Sequence, residues 1–269
     1  MQGTKNNSSL KTDFTGVAKL VRNDILSMSY RAKSAHTGGS LSVVEILVSL
    51  YFSVMHIDPT KPTDQLRDRL VFSKAHDAKA LYSVLARRGY FNSKILAEYE
   101  MENGRLPGHA TRHCVPGVEV SAGSLGHGLS MATGMAYALK KKGPRVFAIL
   151  SDGECNEGSV WEAALFAGHH RLDNLSVVVD YNKLQGCGFT KDILGLEPFA
   201  DKWKAFGFDV SEVDGHDFKK LIPVLRKHFK KPHCVIAHTI KGLGGPPQHV
   251  NAVSSQYKPP TKEEFEELT

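Results

Sequence analysis

The sequence predicts an α/β protein with a mostly parallel sheet flanked by helices, and three observations predict it. Short apolar runs of strand length recur at 69–73, 146–150, 175–179, 208–213 and 234–239. Segments of helical periodicity alternate with them, the pattern of βαβ units. Two of the runs end in polar residues, Ser151-Asp152-Gly153-Glu154 and Asp180-Tyr181-Asn182-Lys183. Ligands of open parallel sheets sit at such carboxyl ends.

Residues 1–12 are polar and are expected to be disordered. Over 14–33 the residues Val17, Leu20, Val21, Ile25 and Met28 fall near helical spacing. Ala35-His36-Thr37-Gly38-Gly39-Ser40 should break that helix, with Ser42 as cap of a second one reaching about residue 54. Asp58-Pro59-Thr60-Lys61-Pro62 reads as a loop. After the strand at 69–73, Lys74-Ala75-His76 opens a helix to about residue 88. A long irregular stretch covers 106–120, and such a length inside a domain is usually functional. Ser121-Ala122-Gly123-Ser124-Leu125-Gly126-His127-Gly128 then leads into a helix to about residue 141. The strand at 146–150, a helix over 161–169 and the strand at 175–179 form one βαβ unit. Loop and short helix follow over 191–203, then a strand at 208–213, a helix over 217–229 and a last strand at 234–239. Lys241-Gly242-Leu243-Gly244-Gly245-Pro246-Pro247 reads as a flexible exit, and residues 259–264 as a spacer and helix start. No repeat or linker interrupts the chain, so 13–269 is expected to be one domain.

A chain of 269 residues, 41% apolar and 23% charged, can bury a substantial core. The net charge of +6 is mild and its lysines and arginines are scattered, which argues against a nucleic-acid surface. Cys114, Cys155, Cys187 and Cys234 lack metal-site spacing and read as free thiols of a reducing cytoplasm. The N-terminus has no signal-peptide core. The most apolar window, 41–55, is too short to span a bilayer and holds Glu45, so neither membrane nor nucleic acid is an expected partner.

The chemistry concentrates between residues 146 and 188. Asp152 and Asn182 end successive parallel strands and can face one crevice, expected to be open to solvent. Mg²⁺ takes oxygen ligands, a few from protein and the rest from phosphate and water. Asp152 offers a carboxylate, Asn182 an amide oxygen and Leu184 a backbone carbonyl. Gly153 lets the backbone approach a diphosphate. Taken singly, these are ordinary turn residues; together they outline a metal-diphosphate site. The glycine run at 123–128 is not a dinucleotide fingerprint, because Met131 stands where the third glycine belongs. His36, His76, His109 and His249 lie in loops, where a lone histidine is most often structural.

Ser151-Asp152-Gly153-Glu154 followed by Asn182-Lys183 resembles the thiamine diphosphate motif, with Ser151 in place of the usual first glycine. Asn156-Glu157-Gly158, Trp161-Glu162-Ala163-Ala164 and Val213-Asp214-Gly215-His216-Asp217 resemble the transketolase family, and the likeness covers nearly the whole chain. It implies the thiamine diphosphate-binding fold, specifically its diphosphate-binding domain, with thiamine diphosphate and Mg²⁺ (or Ca²⁺ or Mn²⁺) as cofactors. Asp152, Asn182 and the Leu184 carbonyl would hold the metal, with Gly153 and Asn182 at the diphosphate. The segment 123–128 resembles the family's Gly-Pro-Leu-Gly-Gln-Gly loop, which puts Gly123, Ser124 and Leu125 at the aminopyrimidine. Ser124 and His127 depart from that pattern in the manner of the family's shorter, two-chain members. His36, His76 and His109 resemble family histidines that reach substrate, His76 also lying near the cofactor phosphate. Histidine titrates in the range needed to move protons on hydroxyls and carbonyls. Asp77 beside His76 adds a negative charge there. His249 is carried over as a cofactor or substrate contact from a Trp-His-Gly motif that this chain lacks. Glu157 resembles the glutamate buried between paired active sites.

The implied reaction moves a two-carbon ketol unit from a ketose, typically phosphorylated, to an aldose. The family's full-length members carry a pyrimidine-binding domain that supplies the activating glutamate. Here the sequence stops at Thr269, so that domain is expected on a separate C-terminal subunit, with two of each chain in an α2β2 assembly. Another thiamine enzyme, of the deoxyxylulose-phosphate synthase or dehydrogenase kind, is the rival enzymatic reading. A non-catalytic binding module is the rival from another class. The sugars themselves are not legible.

Overall fold

Parallel strands buried on both faces must be apolar nearly throughout, and the central strands of this chain are. The computed structural model describes residues 12–269, so the expectation of disorder over 1–12 falls, Thr12 apart, outside the described residues. Five strands pair in parallel: β1 (Arg69–Phe72), β2 (Val146–Ser151), β3 (Leu175–Tyr181), β4 (Asp209–Asp214) and β5 (His233–His238), in the order β1-β2-β3-β5-β4. Ser151 is level with Asp180, and Tyr181 with His238, so the carboxyl ends of β2, β3 and β5 finish near one another.

Alternate side chains leave the sheet on opposite faces, giving two cores. Phe147, Ile149, Val178 and Val235 face a core shared with α1 (Phe14–Ala32), α2 (Thr37–Ser42), α3 (Val44–Ser49) and α4 (Ala78–Arg88). Ala148, Leu150, Val177, Val179 and Ile236 face a second core with α5 (His127–Leu139) and α6 (Gly158–His169). After β3 come α7 (Thr190–Ile193), α8 (Phe199–Ala205) and α9 (Phe218–Arg226), of which α8 seats Phe199 and Trp203 in the second core. The chain closes with α10 (Ser254–Tyr257) and α11 (Lys262–Leu268). A capping box between Thr261 and Glu264 starts α11. Phe265 then stacks on Tyr30 of α1, ring centroids 4.8 Å apart. No helix among the described residues is long and apolar enough to cross a membrane.

Three expectations are corrected. The break after α1 is shorter than 35–40, because Thr37 to Ser40 are already helical. The reversal is concentrated in Lys33 and His36, both left-handed at φ 51° and 64°. Ser42 caps nothing; it ends α2, and its hydroxyl donates to Asp180 at 2.6 Å. The segment 241–247 is a packed turn rather than a flexible exit. The Gly242 N–H donates to the Gly38 carbonyl at 3.0 Å, and Asn251 N–H to the Lys241 carbonyl at 2.8 Å.

Candidate active site

Each strand of the β1-β2-β3 half hands one charged or amide side chain to the carboxyl edge. Asp152 follows β2 and is 2% exposed, so the crevice does not leave this carboxylate open to solvent. One of its oxygens accepts the Gly153 N–H at 2.7 Å. The other accepts the Lys183 N–H at 2.6 Å and the Thr190 hydroxyl at 3.3 Å. Lys183 is left-handed, φ 66°, which turns its N–H back toward Asp152. Asn182, just before it, is buried and accepts the Leu184 N–H at 3.1 Å. Burial, and then the neighbouring Asp180, push the Asp152 carboxyl above its ordinary value, against the bonds from Gly153 and Lys183. A cation at this place would favour the ionised form.

Below this edge lies a buried ion cluster. Lys74, after β1, pairs with Asp180 of β3 and with Asp77 at 3.0 Å. Burial acts against the Lys74 charge, but Asp180 and Asp77 outweigh it and raise its ammonium above the ordinary value. Burial likewise opposes the Asp77 charge, yet Lys74 prevails and holds that carboxyl well below the usual range. The negative charge of Asp77 is thus turned inward onto Lys74. Glu154 is fully buried and accepts from the Ser73 hydroxyl and from the Gly126 N–H at 2.8 Å. It joins β1, β2 and the loop ahead of α5.

A cavity of about 500 Å³ opens over this edge. His36, His76, His109, Gly123, Leu125, Asp152, Gly153, Glu157, Asn182 and Leu184 all line it. The ring centroid of His36 lies 5.2 Å from that of His76 and 6.1 Å from that of His109. His76 Nε2 is 3.3 Å from Asp77. Burial lowers His36 to about 4, so it is neutral near pH 7. Glu157 is exposed at the mouth. Gly126, at φ +84°, has no room for a side chain, since a Cβ would meet Ser159 and the Cβ of Glu157 at 2.8 Å. Gly123 differs: a Cβ there would find only His109, at 3.9 Å, so its lack of a side chain leaves open cavity.

Two expected site residues lie elsewhere. Ser124 is exposed and is not among the lining residues, its neighbours Gly123 and Leu125 taking that role. His249 sits behind the wall, its Nδ1 2.7 Å from the Ser254 hydroxyl and its Nε2 3.5 Å from Glu264. It is corrected from cavity contact to an anchor of the C-terminal segment. Gln256 of α10 lines the cavity instead, and its carbonyl accepts the His36 N–H at 2.7 Å. Sequence reading missed Gln256, Lys241 and Glu154; of these only Glu154 stood inside a recognised motif.

The donor set suits a metal-bound diphosphate. No three His, Cys, Asp or Glu side chains among the described residues are grouped to hold a metal alone. Asp152, Asn182 and the Leu184 carbonyl supply one carboxylate and two neutral oxygens, and a hard dication would complete its shell from phosphate. A larger groove, about 1020 Å³, runs between Arg67, Arg69 and α5. Its arginines are already spent on Glu119 and on backbone carbonyls, so it offers less chemistry despite its size.

Comparison with known proteins agrees with this geometry. Residues 15–267 match the family described as transketolase, thiamine diphosphate binding domain. One of the two subunits of an apulose-4-phosphate transketolase from Actinobacillus succinogenes is 45% identical over 232 residues, 84% of this chain and 84% of that protein. A 6-deoxy-6-sulfo-D-fructose transketolase subunit from Clostridium sp. is 40% identical, covering 88% of each. Among solved structures, transketolase from Leishmania mexicana superimposes with a TM-score of 0.87 at 26% identity. That match covers 94% of this chain and 40% of the other, so this chain corresponds to under half of the solved transketolase. On this sequence, fold and site, the chain belongs to the transketolase family, as its thiamine diphosphate-binding domain.

Proposed function

We propose that this chain is the diphosphate-binding subunit of a two-chain transketolase, moving a two-carbon ketol unit from a ketose to an aldose. The observation that carries the reading is one cavity uniting the Asp152, Asn182 and Leu184 oxygens with three histidines. Asp152, Asn182 and the Leu184 carbonyl would hold Mg²⁺, with Gly153 against the diphosphate. Gly123 and Leu125 would meet the aminopyrimidine through their backbone. When bound, thiamine diphosphate supplies the electron sink for cleaving and forming the carbon–carbon bond. The protein contributes binding, orientation and proton transfer. His36, neutral at pH 7, accepts or donates a hydrogen bond at a substrate hydroxyl without adding charge. His76 and His109 stand across the cavity from it, placed to move protons at the substrate carbonyl and hydroxyl.

Relatives aligned over most of their own length are named as single subunits of transketolases, which supports a separate partner bearing the pyrimidine-binding domain. An α2β2 assembly would place Glu157, exposed at the cavity mouth, against a second copy. A sugar phosphate is the expected substrate class, and a reducing cytoplasm suits the four free cysteines. The test is ketol transfer by this chain alone and with a candidate partner. Turnover only in the mixture, dependent on Mg²⁺ and thiamine diphosphate, is the expected result. Full turnover by the isolated chain would overturn the two-chain reading.

A further inference from the structure

Lys241 reaches the same edge from the turn after β5. Its side chain is buried, 4% exposed, and lines the cavity. Its ammonium donates to the Leu184 carbonyl at 3.0 Å, the only hydrogen bond it makes among the described residues. An ammonium has three donors, so two remain without a protein partner at the cavity wall. The backbone around Lys241 is fixed on both sides, by Gly242 on Gly38 and by Asn251 on the Lys241 carbonyl. Lys74, the other buried ammonium at this edge, is committed to Asp180 and Asp77 and has no such freedom.

We propose that Lys241 is a stand-in cation: it holds the Leu184 carbonyl until a metal takes that oxygen, and then transfers its charge to the diphosphate. This rests on the metal-diphosphate reading of the cavity. The reason is electrostatic. A dication and an ammonium on one carbonyl oxygen would lie within a few ångströms of each other, where like charges repel strongly in a partly dry site. Metal arriving alone must displace Lys241 with no anion to receive it. Metal arriving with a diphosphate provides that anion, and the two free donors already face the cavity. Lys241 therefore couples the two ligands, each raising the affinity for the other by the same factor. It is a positioning residue, and it also keeps free metal from occupying the site unproductively.

The test measures Mn²⁺ binding by electron paramagnetic resonance on the full chain, with and without thiamine diphosphate. Lys241→Met removes the cation while keeping the length, and Lys241→Arg keeps the cation. Without thiamine diphosphate, Lys241→Met should bind Mn²⁺ at least about tenfold more tightly than wild type, and Lys241→Arg should stay near wild type. The gain in Mn²⁺ affinity on adding thiamine diphosphate should shrink in Lys241→Met. Unchanged or weaker binding of Mn²⁺ alone by Lys241→Met would overturn the proposal. A crystal structure of the wild type with Ca²⁺ and thiamine diphosphate keeps the idea testable if the variants misfold. Lys241 Nζ should have left Leu184 for the diphosphate, and retention of both contacts to the carbonyl would overturn it. Failure of the wild type to bind Mn²⁺ even with thiamine diphosphate would instead strike at the cofactor reading.

Discussion

The Asp152 carboxylate accepts the backbone N–H of Lys183 at 2.6 Å, tying the end of β2 to the turn that carries Asn182 and Leu184. One side chain thus offers the proposed metal an oxygen and also shapes the turn that supplies the other two. The dual role makes substitutions at Asp152 separable.

Asp152→Asn keeps an acceptor for Lys183 but loses the charge. Metal-dependent binding of thiamine diphosphate should collapse while the melting temperature changes little. Asp152→Ala also strands the N–H groups of Gly153 and Lys183, and should lose about 1–3 kcal/mol of stability as well. Calorimetric titration beside thermal melts distinguishes the two; unchanged cofactor affinity in Asp152→Asn would sink the metal assignment.

Lys74→Met should be among the most damaging single changes in the chain. It leaves Asp77 and Asp180 buried without their cation, and breaking such a pair costs about 3–5 kcal/mol. Urea unfolding is the measurement. A loss below about 1 kcal/mol, the range of exposed pairs, would show that the cluster is not held as described.

The His36 ring bears on stability against pH. Its folded value, about 4, lies below the ordinary 6.5 because burial disfavours the charged ring. Between those values the unfolded chain binds more protons than the folded one, so stability rises with pH. The contribution is complete above pH 6.5 and lost as pH falls toward 4. His36→Asn tolerates the left-handed backbone and should flatten that slope, by on the order of 1–2 kcal/mol given the partial exposure of the ring. Stability curves of wild type and variant that stay parallel from pH 4 to 7 would count against the burial argument.

His76→Ala and His109→Ala should lower kcat/KM by about 10²–10⁴-fold if the rings transfer protons, with thiamine diphosphate affinity less affected for His109. Steady-state kinetics of the reconstituted two-chain enzyme provide the readout. Wild-type kinetics in both variants would return these histidines to structural roles.

Gly126→Ala should weaken cofactor binding indirectly. Its φ of +84° and the nearby Glu157 and Ser159 leave no place for a methyl group. The loop carrying Gly123 and Leu125 would have to shift. Lower thermal stability together with weaker thiamine diphosphate binding is expected, whereas Gly123→Ala should spare stability and impair binding alone. Equal melting of both variants would contradict the contrast.

The sequence by itself determined the sheet, the order of its elements and the Asp152–Asn182 pair. Those follow from local signals: apolar runs of strand length, helical spacing between them, and polar residues at strand ends. It also carried the three histidines, because each stands in a short contiguous motif. Tertiary structure alone decided the rest. Whether Thr37 to Ser40 turn or coil depended on packing of Gly38 and Gly39 against Ser255 and Asp77. The partners Lys74 and Asp180 lie 106 positions apart, and no local pattern announces such a pairing. His249 and Gln256 exchanged their expected places because both stand on a non-repetitive segment, where sequence gives no period to say which side chain faces inward. Lys241 sat in a glycine-rich run that reads as loose, and only the closing of that turn onto Gly38 aims its ammonium at Leu184.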